Sequence, residues 1–131
     1  MNNLTTRIFK IWAYNISHSF LIIRSPLKFP DQEGFKEGYE YNIDIEFSAV
    51  AYLDIPAILD GVIIKELRDN IPPKFYRFKF ELNYKIFEIE SEKNLYYVVA
   101  GNYRIGKNKW LNDSRITNVN LEYDFILEGS S

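Results

Sequence analysis

An all-β domain is what this sequence predicts: mainly antiparallel, a sandwich or closed barrel of about seven to nine strands, with at most one short helical turn. Three observations carry that expectation. Residues 41–53 place Tyr41, Ile43, Ile45, Phe47, Ala49, Ala51 and Leu53 on one face and polar Asn42, Asp44, Glu46 and Ser48 on the other. A side-chain period of two belongs to a strand with one face on a core. Ten Tyr, ten Phe and two Trp raise the aromatic share to 17%, and aromatic side chains suit half-buried pleated surfaces. Turn signals recur about every ten residues, with no sustained helical period between them.

The elements follow in order. Residues 7–13 read as a first strand, apolar on both faces, and Asn15-Ile16-Ser17-His18 breaks it. Residues 19–24 carry Phe20-Leu21-Ile22-Ile23, a buried-strand run closed by Pro26 and Pro30, because proline cannot donate into a ladder. Residues 30–40 hold Gly34, Gly38 and several charges, a surface loop and the most mobile segment expected. The 41–53 strand follows, running from about residue 39 to 54. Its small Ala49 and Ala51 predict close approach by the Pro56 turn, Trp12 or Trp110. Pro56 is placed to start the single helical turn, with Asp54 near its cap.

Asp60-Gly61 turns the chain into a strand at 62–67, and Pro72-Pro73 marks a loop. Residues 74–82 alternate again, with Tyr76, Phe78, Phe80 and Leu82 on one face. Residues 84–91 and 95–100 form the next two strands around a Glu92-Lys93-Asn94 hairpin loop, the latter apolar on both faces and so central in a sheet. That strand is expected to run on to about residue 103 or 105. Residues 115–127 read as the last strand, with Val119, Leu121, Tyr123, Phe125 and Leu127 facing inward.

Length and composition narrow the function classes. At 131 residues the chain reads as a single domain spanning 1–131. A net charge of −2 and a pI near 5.5 supply no global cationic field, so neither nucleic acid nor an anionic membrane surface is the expected partner. The absence of cysteine excludes disulfides and thiolate chemistry. The first residues lack a basic-then-apolar leader and no run approaches the ~20 apolar residues of a membrane span, which makes the cytoplasm the expected location.

No motif assigns a reaction, and no cofactor or metal is expected. His18 is the single histidine. It sits beside Ser17 and Ser19, but neighbours on an extended chain point to opposite faces, so a structural role is expected of it. Glycine-rich phosphate loops, dinucleotide fingerprints and metalloprotease motifs are all missing. Asp44 and Glu46 share a strand face about 7 Å apart, which reads first as a solvated outer surface. Acidic residues cluster there and before it: Asp31, Glu33, Glu37, Glu40, Asp44 and Glu46 face Lys36 alone within that window. The later part of the outward face turns apolar at Val50 and Tyr52, which must be covered by the 55–59 segment or by a partner.

An early strand with His18 and Phe20-Leu21-Ile22-Ile23, then residues 47–53, Gly61-Val62-Ile63-Ile64 and residues 95–100, resembles small single-domain β proteins of bacteria, uncharacterised or grouped with toxin-immunity proteins. The resemblance implies a non-enzymatic domain that neutralises a partner toxin, with no catalytic residues to transfer. The expected site is therefore a protein-binding surface built from Asp31, Glu33, Glu37, Glu40, Asp44, Glu46, Val50 and Tyr52, acting on a basic partner. A homodimer through edge strands or the apolar strand faces is a further expectation. Two alternatives stand beside it: a small-ligand-binding barrel, from the surplus of aromatics, and a carboxylate-based enzyme, from the supply of acids.

Overall fold

The computed structural model of the chain describes residues 4–129. Its strands are β1 (Ile8–Asn15), β2 (Phe20–Ser25), β3 (Asn42–Ser48), β4 (Tyr52–Asp54) and β5 (Ile58–Asp60), followed by β6 (Ile63–Leu67), β7 (Lys85–Ser91), β8 (Asn94–Ala100), β9 (Asn102–Asn108) and β10 (Phe125–Gly129). They form one six-stranded sheet, ordered β10-β9-β3-β2-β1-β5, and one four-stranded sheet, ordered β4-β8-β7-β6, with every pairing antiparallel. Each sheet ends in edge strands, so no closed barrel forms among the described residues.

The two sheets share one core. Alternate residues of the larger sheet, Phe9, Leu21, Ile23, Ile43, Ile45, Phe47 and Ile105, meet Phe87, Ile89, Val98 and Ala100 of the smaller one. All of them are shielded from water. Phe47, Phe87 and Tyr103 touch ring to ring, with centroids 4.8–6.2 Å apart. This is the period-two pattern read from the sequence, and it sets the odd-numbered face of β3 inward.

The 41–53 alternation is two strands rather than one. β3 pairs with β9 from Asn42↔Asn108 to Ser48↔Asn102, and β4 pairs with β8 from Tyr52↔Val99 to Asp54↔Tyr97. One antiparallel ladder thus runs from the larger sheet into the smaller, and its register slips by one residue at the corner. Bends and bulges of this kind are how strands change sheets. Ala49 takes φ 54° there, and the Gly101 N–H donates to the carbonyls of both Ser48 and Ala49. A side chain on Gly101 would lie 3.1 Å from the Ala49 Cβ. Ala49 therefore marks the corner, and its close neighbour is Gly101 rather than Pro56, Trp12 or Trp110, while Ala51 is exposed. The predicted run of the 95–100 strand to residue 103 or 105 breaks at the same corner.

Each sheet also has an outer face to cover. Residues 73–81 cover the smaller sheet as a 3-10 turn (Pro73–Phe75) running into a π-helix (Arg77–Glu81), where alternation had predicted a strand. Pro73 opens the turn, since the first helical position needs no N–H. Phe75 and Phe78, three apart, then share the buried side, while Tyr76 and Phe80, four apart, share the exposed side, with ring centroids 5.6 Å apart. Phe75 packs on Tyr52 and Tyr97 at 5.0 and 5.2 Å. The turn expected at Pro56 is absent, and the helical piece lies at 73–81 instead.

The outer face of the larger sheet is covered by residues 109–124, an irregular segment of turns; of the strand predicted over 115–127, only the end from Phe125 forms, as β10. Val119 and Leu121 do not face the core as that strand would have placed them. Trp110 stacks on Tyr123, with centroids 5.3 Å apart. Tyr123 lies against Gly106, where a Cβ would stand 2.5 Å from the Tyr123 Cγ, so glycine is what lets the ring approach the sheet. The hairpin predicted at Glu92-Lys93-Asn94 forms with a two-residue loop, Glu92 and Lys93 taking positive φ between the paired Ser91 and Asn94.

Candidate functional site

The eight residues picked out as a partner surface divide three ways. Asp31, Glu33, Glu37 and Glu40 are exposed on the loop between β2 and β3. Asp44 and Glu46 are buried, at 0% and 7% exposure. Val50 lies in the shared core, and Tyr52 packs half-buried against Phe75 and Phe78. The condition for reading Val50 and Tyr52 as an interaction surface, that nothing in the chain covers them, is not met. Their cover is the shared core, to which Leu59 and Ile55 of the 55–59 segment contribute, and the 73–81 segment.

The acidic loop is a series of hydrogen-bonded turns. Gln32 caps Phe29, accepting from its N–H at 2.6 Å, and Lys28 Nζ donates to the Glu33 carbonyl at 3.0 Å. The Gly38 N–H donates to Glu40 Oε2 at 2.9 Å, and the Lys28 N–H to the Tyr39 carbonyl at 2.8 Å. Its base is held by Arg7, which precedes β1. Arg7 Nε donates to Ser25 Oγ at 2.9 Å, and Nη2 donates to the carbonyls of Ser25, Pro26 and Tyr41 at 2.9–3.2 Å. The Tyr39 ring covers the guanidinium at 4.8 Å, and the Tyr39 hydroxyl donates to the Thr6 carbonyl. Burial pulls the Arg7 guanidinium below its ordinary pKa, while Tyr39 and Glu40 push it back up. One cation thus ties both ends of the loop to the segment that leads into the first strand.

Asp44 and Glu46 do not face solvent, because the 109–124 segment lies over them and supplies partners. Arg24, directly across from Asp44 in the β2–β3 pairing, donates Nε and Nη2 to its two carboxylate oxygens at 2.5 and 2.8 Å. Nη2 also donates to the Asp113 carbonyl at 2.9 Å, and the Trp12 ring covers the guanidinium at 5.0 Å. Asn108 Nδ2 donates to Asp44 Oδ2, and its own Oδ1 accepts from Asn42 Nδ2 at 2.7 Å. Glu46 accepts from Arg104 on one oxygen, and from Arg115 and the Tyr123 hydroxyl on the other, each at 2.9 Å. Three guanidinium groups thus meet two carboxylates on this face.

Burial raises the Asp44 carboxyl above its ordinary pKa, against the pull of Arg24 and Asn108. Desolvation outweighs pairing at that position, as it often does for buried ion pairs. Burial also raises the Tyr123 phenol well above the usual tyrosine range, reinforced by the charges of Asp44 and Glu46 and by the bond to Glu46.

The sequence carried one sign of this network. Arg24 follows the apolar run Phe20-Leu21-Ile22-Ile23 within a buried strand, and a charge placed there must be paired. The partners on Arg104, Arg115 and Tyr123 come from pairings and a covering segment that alternation alone cannot locate. Chemically, the arrangement binds charge within the molecule: both carboxylates are committed to arginines. Among the described residues, no cluster of His, Cys, Asp or Glu is arranged to hold a metal ion.

Compared with known proteins, the chain matches no family model, no curated protein and no solved structure.

Proposed function

We propose that this chain is a non-enzymatic protein-binding domain that presents its 31–40 loop to a basic protein, as an immunity-type inhibitor does to a toxin. The observation that carries the reading is the loop itself. Asp31, Glu33, Glu37 and Glu40 are all exposed, and the two ends of the loop that bears them are held together by Arg7. A charged loop already held in shape loses little entropy when a partner arrives, and concentrated negative charge steers a basic partner in.

Two observations favour this reading over its alternatives. The space between the sheets is taken up by Phe47, Phe87 and their neighbours, which leaves little to recommend a ligand-filled barrel. Asp44 and Glu46, the paired acids of β3, are saturated by arginines, which weakens the motive for a carboxylate enzyme. Docking takes place at the loop alone in this reading, without Asp44 or Glu46.

Affinity capture tests it, with the unaltered chain and a D31K/E33K/E37K chain as paired baits at low and at raised ionic strength. The expected result is a basic protein recovered by the first bait at low salt, weakened by salt and lost with the second bait. A partner held equally by both baits would overturn the proposal for this loop.

A further inference from the structure

A cleft opens where the β1–β2 turn meets the covering segment. Its volume is about 410 Å3, and Asn15, His18, Phe20, Arg115, Thr117 and Val119 are among the side chains that line it. That volume lies in the range of small-molecule sites, which are mostly apolar with a few fixed polar groups. Phe20 and Val119 supply the apolar walls.

Arg115 is the fixed polar group. Its Nε donates to Glu46 Oε1 at 2.9 Å, and Nη1 donates to the carbonyls of Val119 and Leu121 at 2.6 and 2.7 Å. These bonds lock the plane of the guanidinium and leave Nη2 with no hydrogen bond among the described residues. Glu46 cannot neutralise it fully, because the same carboxylate also serves Arg104 at 2.9 Å. The cleft therefore borders a face with one more guanidinium than carboxylate.

His18 stands on the other lip. Its backbone N–H is held by Asn15 Oδ1 at 3.2 Å, while its imidazole makes no hydrogen bond among the described residues. An imidazole offers at least one N–H donor whether neutral or charged. A preoriented guanidinium edge and an imidazole bordering one apolar cleft suit a carboxylate or phosphate group carried on a small ring.

We propose that this cleft binds a small organic anion, a carboxylate or phosphate monoester with a compact apolar body, between Arg115 and His18. The anion completes the charge balance of the Arg104–Glu46–Arg115 group, and its body rests on Phe20 and Val119. The site is independent of the acidic loop.

Titration of the isotopically labelled chain with phenyl phosphate and with benzoate, followed by backbone amide NMR, tests the proposal. The expected result is saturable shifts confined to residues 15–20 and 114–121, with a Kd in the millimolar range or tighter. Benzyl alcohol, of similar shape without charge, should bind about tenfold more weakly or not at all. V119W fills the cleft from a position 62% exposed, whose side chain holds nothing in the network, and should abolish the shifts while leaving the thermal midpoint in place. H18Q should weaken binding several-fold. No saturable shift with either anion, equal binding of benzyl alcohol, or binding that survives V119W would each overturn the proposal.

Discussion

The two sheets of this molecule cover their outer faces with opposite chemistry. On the smaller sheet, Leu67, Ile86 and Val99 meet Phe75 and its ring partners beneath the 73–81 segment, and the contacts are apolar and aromatic. On the larger sheet, Arg24, Asp44, Asn108 and Glu46 lie beneath the 109–124 segment, and hydrogen bonds and ion pairs carry the contact. An apolar cover is stabilised by area and tolerates small shifts. A polar cover works only when each buried charge meets a counter-charge, because one orphaned charge costs more than a pair contributes. The first kind of cover can be a short helical turn. The second needs a long irregular segment able to bring Asp113, Arg115 and Tyr123 to separate points on the sheet.

The largest effect should come from breaking the polar cover at its centre. Arg24 and Asp44 are both fully buried, so D44A leaves a guanidinium without its counter-charge and should cost about 3–5 kcal/mol. Urea unfolding measures the loss directly. R24M/D44L, which removes both charges, should recover most of that cost, since burial already raises the Asp44 carboxyl against its pairing. A double variant as unstable as D44A would mean that the pair, rather than its neutralisation, holds the cover in place.

The apolar cover should lose less. F75A removes a fully buried ring between Tyr52 and Tyr97 and should cost about 3 kcal/mol, the low end for such a truncation. Tyr52, Tyr97 and Phe78 lie close enough to settle into the space. Hydrogen exchange should show the loss confined to the 73–81 segment and the β4–β8 edge, with the larger sheet protected as before.

These two covers also explain what could be read from the chain. Strands β2, β6, β7 and β8 were legible because each is a short β-branched or apolar run bounded by turn residues, which period and punctuation capture. The corner at Ala49 was not, since the apolar alternation of the sequence runs straight through it while the chain switches faces there, burying Val50 and exposing Ala49, Ala51 and Leu53. Residues 74–82 misled for a related reason: the alternating Tyr76, Phe78 and Phe80 have Phe75 beside them, so the same aromatics also form pairs three and four apart, Phe75–Phe78 and Tyr76–Phe80, which is helical spacing. The acids of β3 misled most. Alternating polar residues on a strand mean solvent unless another segment brings cations, and Arg104 and Arg115 reach Glu46 from 58 and 69 residues away. No local pattern reports such a contact. The four acids of the 31–40 loop were placed correctly because glycine and charge density are local signals.

A smaller effect should separate the polar cover by pH. Y123F removes a hydroxyl that donates to Glu46 at 2.9 Å and should cost about 1.5 kcal/mol at neutral pH. Because the folded state raises this phenol, its contribution is fully present below the unfolded tyrosine value near 10 and is lost as pH rises beyond it. The unaltered chain should therefore lose stability above about pH 10 more steeply than Y123F. Equal slopes would mean that Tyr123 ionises as freely folded as unfolded. Tyr103, raised by burial and by its bond to Glu128, and Tyr97, raised by burial, contribute to the slope in both chains.

The smallest effect should fall on the exposed side of the apolar cover. Phe80 is 69% exposed and touches Tyr76, itself exposed, so it contributes little to the packing beneath Phe75. F80S should change stability by no more than about 0.5 kcal/mol, the range for surface positions without a buried partner. Thermal unfolding of F80S beside F75A then measures how far the two sides of one short helical segment differ. A loss from F80S approaching that of F75A would place Phe80 inside the cover, and the 73–81 segment would then present its basic residues, not its rings, to solvent.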